Sequence, residues 1–132
     1  RKRLIPVIKQ LKSLGIRVSL FVDPDIKAVC AAKELQADRI ELYTEPFAAA
    51  FASKNNLEAM TASYAAAAKE AAQIGLEVNA GHDLNLINLP KFLEINGILE
   101  VSIGHALTVE CIEIGMKEVI KRYLGICNLE KI

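Results

Sequence analysis

The sequence predicts an α/β fold built on a parallel sheet, and three observations carry that prediction. Short β-branched and aromatic runs alternate strictly with longer segments of helical period along the whole chain. Glycine and proline punctuate the boundaries, at Gly15, Pro24, Gly75 and Gly97. The composition is 52% hydrophobic but only 5% aromatic, a balance suited to helices packed on strands buried on both faces. Four strand–helix units are too few to close a barrel. They are half of a (β/α)8 barrel or four strands of an open doubly wound sheet, and ligands bind at the C-terminal strand ends in either case.

Taken in order, Leu4, Ile5, Val7, Ile8, Leu11 and Leu14 recur at helical spacing. They predict an amphipathic helix over about residues 2–14, with Pro6 in its first turn and Gly15 ending it. Residues 16–22 (IRVSLFV) form the first strand. Asp23 then caps a helix whose first position is Pro24 and which runs to about residue 36. The second strand is 39–43 (RIELY), and 47–52 is apolar enough for a short extra helix. A long alanine-rich helix spans 57–74, where Tyr64 is expected to pack rather than react. The third strand is 76–80 (LEVNA), a short helix lies around 89–95, the fourth strand is 98–103, and one final helix covers 106–124.

With 132 residues the chain has the size of one domain, here taken as 1–132. Sixteen basic and sixteen acidic residues cancel, so charge gives no argument for nucleic acid or an anionic membrane as a partner. No apolar run reaches the roughly 18 residues that span a bilayer. Cys30, Cys111 and Cys127 are widely spaced without a CxxC pair and read as reduced, mostly buried thiols of a cytoplasmic protein. The first residue is Arg1, not methionine, and the chain enters a helical pattern at once. It is therefore expected to begin inside a larger protein.

The chemistry gathers where strands end. Val78-Asn79-Ala80-Gly81-His82-Asp83 and Val101-Ser102-Ile103-Gly104-His105 each close an apolar strand with a glycine followed by one of the chain's two histidines. Glycine permits a sharp turn or a close approach of backbone to ligand, and histidine exchanges protons near neutral pH. The other ends supply Asp23 and the Glu41, Tyr43, Thr44 and Glu45 group. Alternation along residues 39–43 points Ile40 and Leu42 toward helices and Arg39, Glu41 and Tyr43 to the other face. The bland alternative for Glu41 is a structural ion pair, with Glu100 as a candidate polar partner on a neighbouring strand. The amides of Gly104 and His105, at a helix N-terminus, make an anion site. A metal site lacks HxxxH or HxH spacing, and no metal is expected.

These runs together resemble the C-terminal half of the pyridoxine 5′-phosphate synthase family of bacterial vitamin B6 synthesis. The matching segments are VSLFVD at 18–23, IELYT at 40–44, LEVNAGH at 76–82 and IGHA at 103–106. The resemblance implies a TIM barrel, this chain supplying about the last four β/α units. It implies condensation of 1-deoxy-D-xylulose 5-phosphate with 3-amino-2-oxopropyl phosphate, with no cofactor, in a homo-octamer. It implies that His82 donates protons, that Glu41 stabilises charged transition states, and that Asp83, Gly104 and His105 bind the amino-ketone phosphate. Asp83 and Glu45 stand where the family commonly has glycine. The family's other acid–base residues and several substrate arginines lie in the half not seen here, so activity is expected only with that half. Two rival readings remain. An aldolase or epimerase barrel would need a metal or a Schiff-base lysine, and no strand contains a lysine. A non-catalytic half-barrel module would need only a partner.

Overall fold

The structure is a computed structural model and describes residues 2–127; Arg1 and residues 128–132, the ends of the expected 1–132 domain, lie outside the described residues. The element order is α1 (Leu4–Ser13), β1 (Ser19–Val22), α2 (Ile26–Glu34), β2 (Arg39–Tyr43), α3 (Glu45–Ser53), α4 (Leu57–Gln73), β3 (Glu77–Gly81), α5 (Leu89–Phe92), β4 (Ile98–Ser102), α6 (His105–Ile114) and α7 (Met116–Ile126). The four strands are parallel and lie in sequence order, β1-β2-β3-β4. The fold is therefore α/β with a parallel sheet, as the alternation of periods requires.

One face of the sheet makes the core. Ile40 and Leu42 of β2 and Val78 and Ala80 of β3 are buried there with Val29 and Ala32 of α2 and Ala67, Ala68 and Ala71 of α4. Small alanines let α4 lie close on the sheet. Phe47, Tyr64 and Phe92 then fill the space toward the strand ends, in edge-on contacts with centroids 5.0 to 6.1 Å apart. Burying each such large apolar side chain contributes about 1.5–3 kcal/mol. The other face is polar, carrying Arg39, Glu41, Glu77, Asn79, Glu100 and Ser102, and Phe21 on it is exposed. Burial on both faces, as the composition suggested, is met among the described strands only in β3, whose residues 78–81 are all buried; β2 keeps one face half-open. Alternation in β2, with every second residue buried, is the reason.

Several boundaries move for identifiable reasons. The ladder starts at Ser19 because the Ile16 amide turns back to the Leu11 carbonyl. The Val18 amide is taken by the Asp38 carboxylate at 2.9 Å. Asp25, not Asp23, is the N-cap of α2: its carboxylate accepts the Ala28 amide at 3.1 Å. Pro24 consequently lies before the helix, and Asp23 stays at the end of β1. The extra helix α3 is longer than 47–52, starting directly after Thr44. The single final helix is two helices, parted at Gly115, whose φ of 101° favours glycine. Apolar residues at 112, 116, 119, 120 and 124 keep helical spacing across that break, which hid it.

Candidate active site at the strand ends

β2 and β3 deliver the centre of the site. Their register sets Glu41 beside Asn79 and Tyr43 beside Gly81. Glu41 lies on the polar face, and one of its carboxylate oxygens occupies the space above Gly81. A Cβ built on Gly81 would meet Glu41 Oε1 at 2.7 Å and Ser102 Cβ at 3.1 Å. Close approach, not a left-handed turn, is therefore what requires glycine here. The structural ion pair offered for Glu41 is not formed among the described residues. Glu100 instead takes Arg39, at 2.7 Å from Nη1.

The left-handed turn falls on the next two residues. His82 has φ of 105° and Asp83 φ of 54°, values that non-glycine residues adopt seldom and that cluster at functional sites. Neighbours hold the turn in place. The fully buried Thr44 donates its hydroxyl to the His82 carbonyl, and its amide donates to the Gly81 carbonyl at 3.1 Å. Asn88 donates to the Asp83 carbonyl at 3.0 Å, and Asn85 accepts the Ile87 and Asn88 amides through its side chain at 2.9 Å. The His82 ring stands edge-on to Tyr43 and Phe21, with centroids at 5.2 and 6.0 Å. An exposed histidine is thus aimed by two rings and a strained backbone.

The electrostatics of this rim are negative. Burial raises the Tyr43 phenol above its ordinary range, and the charges of Glu45, Asp83 and Asp23 raise it further. Beneath it, the Tyr64 hydroxyl donates to the Tyr43 carbonyl, and burial pushes the Tyr64 phenol well above its usual range. Tyr64 packs, as expected from the sequence. The thiols of Cys30 and Cys127 are likewise raised, mainly by burial, which disfavours the nucleophilic thiolate.

β4 brings the second glycine–histidine pair to the same end of the sheet. Gly81 is level with Ser102, and two residues further on Gly104 becomes the N-cap of α6, with no side chain bonded to its open amides. Gly104 and His105 are exposed, and a Cβ at Gly104 would meet nothing within 4 Å. Open amides at a helix start are the geometry that the sequence reading placed there. Among the described residues no hydrogen bond or ring contact ties His105 to His82 or Glu41, so the structure joins Glu41, Gly81 and His82 and leaves His105 at the margin. No group of three or more His, Cys, Asp or Glu residues suited to a metal occurs among the described residues.

Three supporting residues lacked a sequence signal or had a weak one. Thr44 was visible only as a polar residue after β2. Asn88 sat within an unremarkable NLINLP run. Glu110 had no signal at all: from α6 it accepts the Leu86 amide at 3.1 Å and the Tyr123 hydroxyl at 2.5 Å, tying both last helices to the loop after β3.

Fold and site define a class: a parallel α/β protein whose strand ends present a carboxylate, a histidine and free helix amides, parts suited to proton transfer on an anionic ligand. The chain belongs to the family described as pyridoxal phosphate biosynthesis protein PdxJ, which matches residues 1–129. It is 46% identical over 123 residues to a pyridoxine 5′-phosphate synthase of Albidiferax ferrireducens, covering 92% of this chain and 48% of that protein. The synthase of Chelativorans sp. is 45% identical over 128 residues, covering 95% of this chain and 52% of the relative. That of Christiangramia forsetii is 48% identical over 125 residues, with 94% and 52% covered. The chain thus spans about half the length of the curated relatives it matches.

Proposed function

We propose that this chain is the C-terminal half of a TIM-barrel pyridoxine 5′-phosphate synthase and carries part of its active site. The strand order supports the barrel reading over the open sheet. A doubly wound sheet reverses its order at a switch point, whereas these strands run in unbroken sequence. The polar face then becomes the barrel interior, closed by the remaining half. The whole enzyme condenses 1-deoxy-D-xylulose 5-phosphate with 3-amino-2-oxopropyl phosphate in the cytoplasm, as a homo-octamer. None of the helices described is long and apolar enough to cross a membrane.

The observation that carries this reading is the Glu41 carboxylate lying over Gly81, next to the strained His82. Ring closure passes through imine and enamine species and expels hydroxyl groups as water. His82 protonates a departing hydroxyl, and Glu41 stabilises the developing cation. The amides of Gly104 and His105 take the phosphate of the amino-ketone. Asp83 contributes backbone, since its αL geometry suits the glycine common there and its charge would repel the phosphate.

The test is a completed synthase, made by joining this chain to the missing half of a relative. His82→Asn should cut turnover by about 10²–10⁴-fold, the usual range for general acid–base help, with substrate binding within a few-fold. Turnover within about threefold of the parent would remove His82 from the chemistry.

A further inference from the structure

We infer that Arg39 is a positioning residue: its guanidinium pins a bulge in β4, and the bulge sets the register by which Ser102 to His105 reach the phosphate site. The inference rests on the proposed reading of that site. Its starting point is a register shift. Val78 pairs with Ile98, but the next residue, Asn79, pairs with Glu100. Leu99 is the extra residue, and it is 63% exposed.

The shift decides which side chains meet the site. Faces alternate along a strand, so one inserted residue moves everything beyond it to the opposite face. Without the bulge, Leu99 would oppose Asn79, Glu100 would turn toward the helices, and Val101 would stand on the polar face beside Gly81. With it, Ile98 and Val101 both pack on the core, and Ser102 comes level with Gly81. The apolar pair three residues apart makes a bulge necessary but does not say where the extra residue sits.

Arg39 supplies the location. From β2 it reaches across the polar face to one residue before the shift and two after it. Its Nε donates to Glu77, and Nη1 donates to Asn79 Oδ1 at 3.2 Å and to Glu100 at 2.7 Å. The Arg39 side chain is only 12% exposed, while the Glu77 and Glu100 side chains are 48% and 54% exposed. A planar fork that fixes three acceptors on two strands constrains register in a way a flexible ammonium cannot. An ordinary half-exposed ion pair would contribute only modestly to stability; the placement over the bulge is what gives this one a further role.

In the completed synthase, Arg39→Met should raise KM for the amino-ketone phosphate at least tenfold and weaken competition by inorganic phosphate in parallel, with kcat within threefold. Arg39→Lys should fall between. Leu35→Ala, in the small cluster with Ile8 and Val18, is the control: it lowers Tm and leaves KM unchanged. KM within twofold of the parent in folded Arg39→Met would overturn the inference. Should that variant not fold, Glu100→Gln, which keeps the shape and weakens the clamp, must raise KM at least threefold, and an unchanged KM overturns the inference equally. Gly104→Val separates the two levels. If it weakens phosphate competition while Arg39→Met does not, only the role of Arg39 falls; if it has no effect, the phosphate site and the inference fall together.

Discussion

At the N-terminal ends of the strands the charged groups close on one another, whereas at the C-terminal ends they stand open beside a strained backbone. Lys12 of α1 bonds Asp38 at 2.7 Å and the Gln36 carbonyl at 3.0 Å, Asp38 takes the Val18 amide, and Lys33 takes the Gly75 carbonyl at 3.1 Å. A cleft of about 700 Å³ lies at this end, lined in part by Lys12, Arg17, Lys33, Asp38 and Glu77. Volume alone would name it the binding site. Its charged groups, however, are spent on backbone carbonyls, amides and each other, as in a staple between α1, β1 and α2. The other end holds Glu41 over Gly81, His82 and Asp83 at positive φ, and a capless helix start. Partnered charge marks the N-terminal end, and the proposed site lies where charge is unspent, at the face where barrels gather catalytic residues.

The sharpest way to break that comparison is Gly81→Ala. The added methyl collides first with the flexible end of Glu41, at 2.7 Å, and presses Ser102 at 3.1 Å. The carboxylate can swing away, but Ser102 Cβ at 3.1 Å and the Ser102 carbonyl at 3.3 Å must give by a few tenths of an ångström, so Tm should fall modestly. Turnover of the completed synthase should fall by about 10²-fold, the scale of one misplaced electrostatic group. Glu41→Gln, which keeps the shape, should lose a similar factor. If both keep turnover within threefold of the parent, Glu41 belongs with the charges of the N-terminal end.

Much of this contrast is legible in the sequence. The alternation in β2 gave its limits to the residue and put Glu41 on the polar face, because a half-buried strand advertises its period. The two glycine–histidine pairs marked where β3 and β4 end. What escaped depends on contacts distant in sequence. Asp23 and Asp25 flank Pro24 symmetrically, and only the Ala28 amide chooses between them. For Gly81 the sequence left open a sharp turn or a close approach to ligand; the turn is made by His82 and Asp83, and the need for glycine arises across the sheet, from Glu41. The bulge at Leu99 and the pairing of Glu100 with Arg39 rather than Glu41 are set by three strands together. No local period encodes them.

A second prediction sharpens the contrast within the site. Thr44→Val keeps the volume but removes the hydroxyl that holds the His82 carbonyl. Leaving this part-buried carbonyl without its donor costs up to about 1–3 kcal/mol, so Tm should drop. Turnover should drop about tenfold or more as well, because His82 loses the anchor of its strained turn. A fall in Tm with turnover untouched would show that the turn holds itself. Tyr64→Phe, one layer beneath, removes the donor to the Tyr43 carbonyl and should cost about 1 kcal/mol with turnover unchanged within twofold.

The smallest effect is expected at the opposite end, and its sign follows from linkage. The Lys12 ammonium, then the Val18 amide, hold the Asp38 carboxyl below its ordinary range. The unfolded chain therefore binds this proton more readily than the folded one. The stability Asp38 contributes is fully present above the unfolded carboxyl value of about 3.9 and is lost as pH falls through the lower folded value. Both side chains are about one-third exposed, at 38% and 31%, so solvent and salt screen the pair and keep the gain small. Melting curves of the completed synthase and its Asp38→Asn variant, taken from pH 7 downward, should differ by a small, constant amount at neutral pH and converge below about pH 4. The variant should keep parental turnover throughout, because the Lys12–Asp38 staple lies across the sheet from the chemistry. A gap that widens on acidification would reverse the sign argued here, and a turnover defect would place Asp38 with the proposed site.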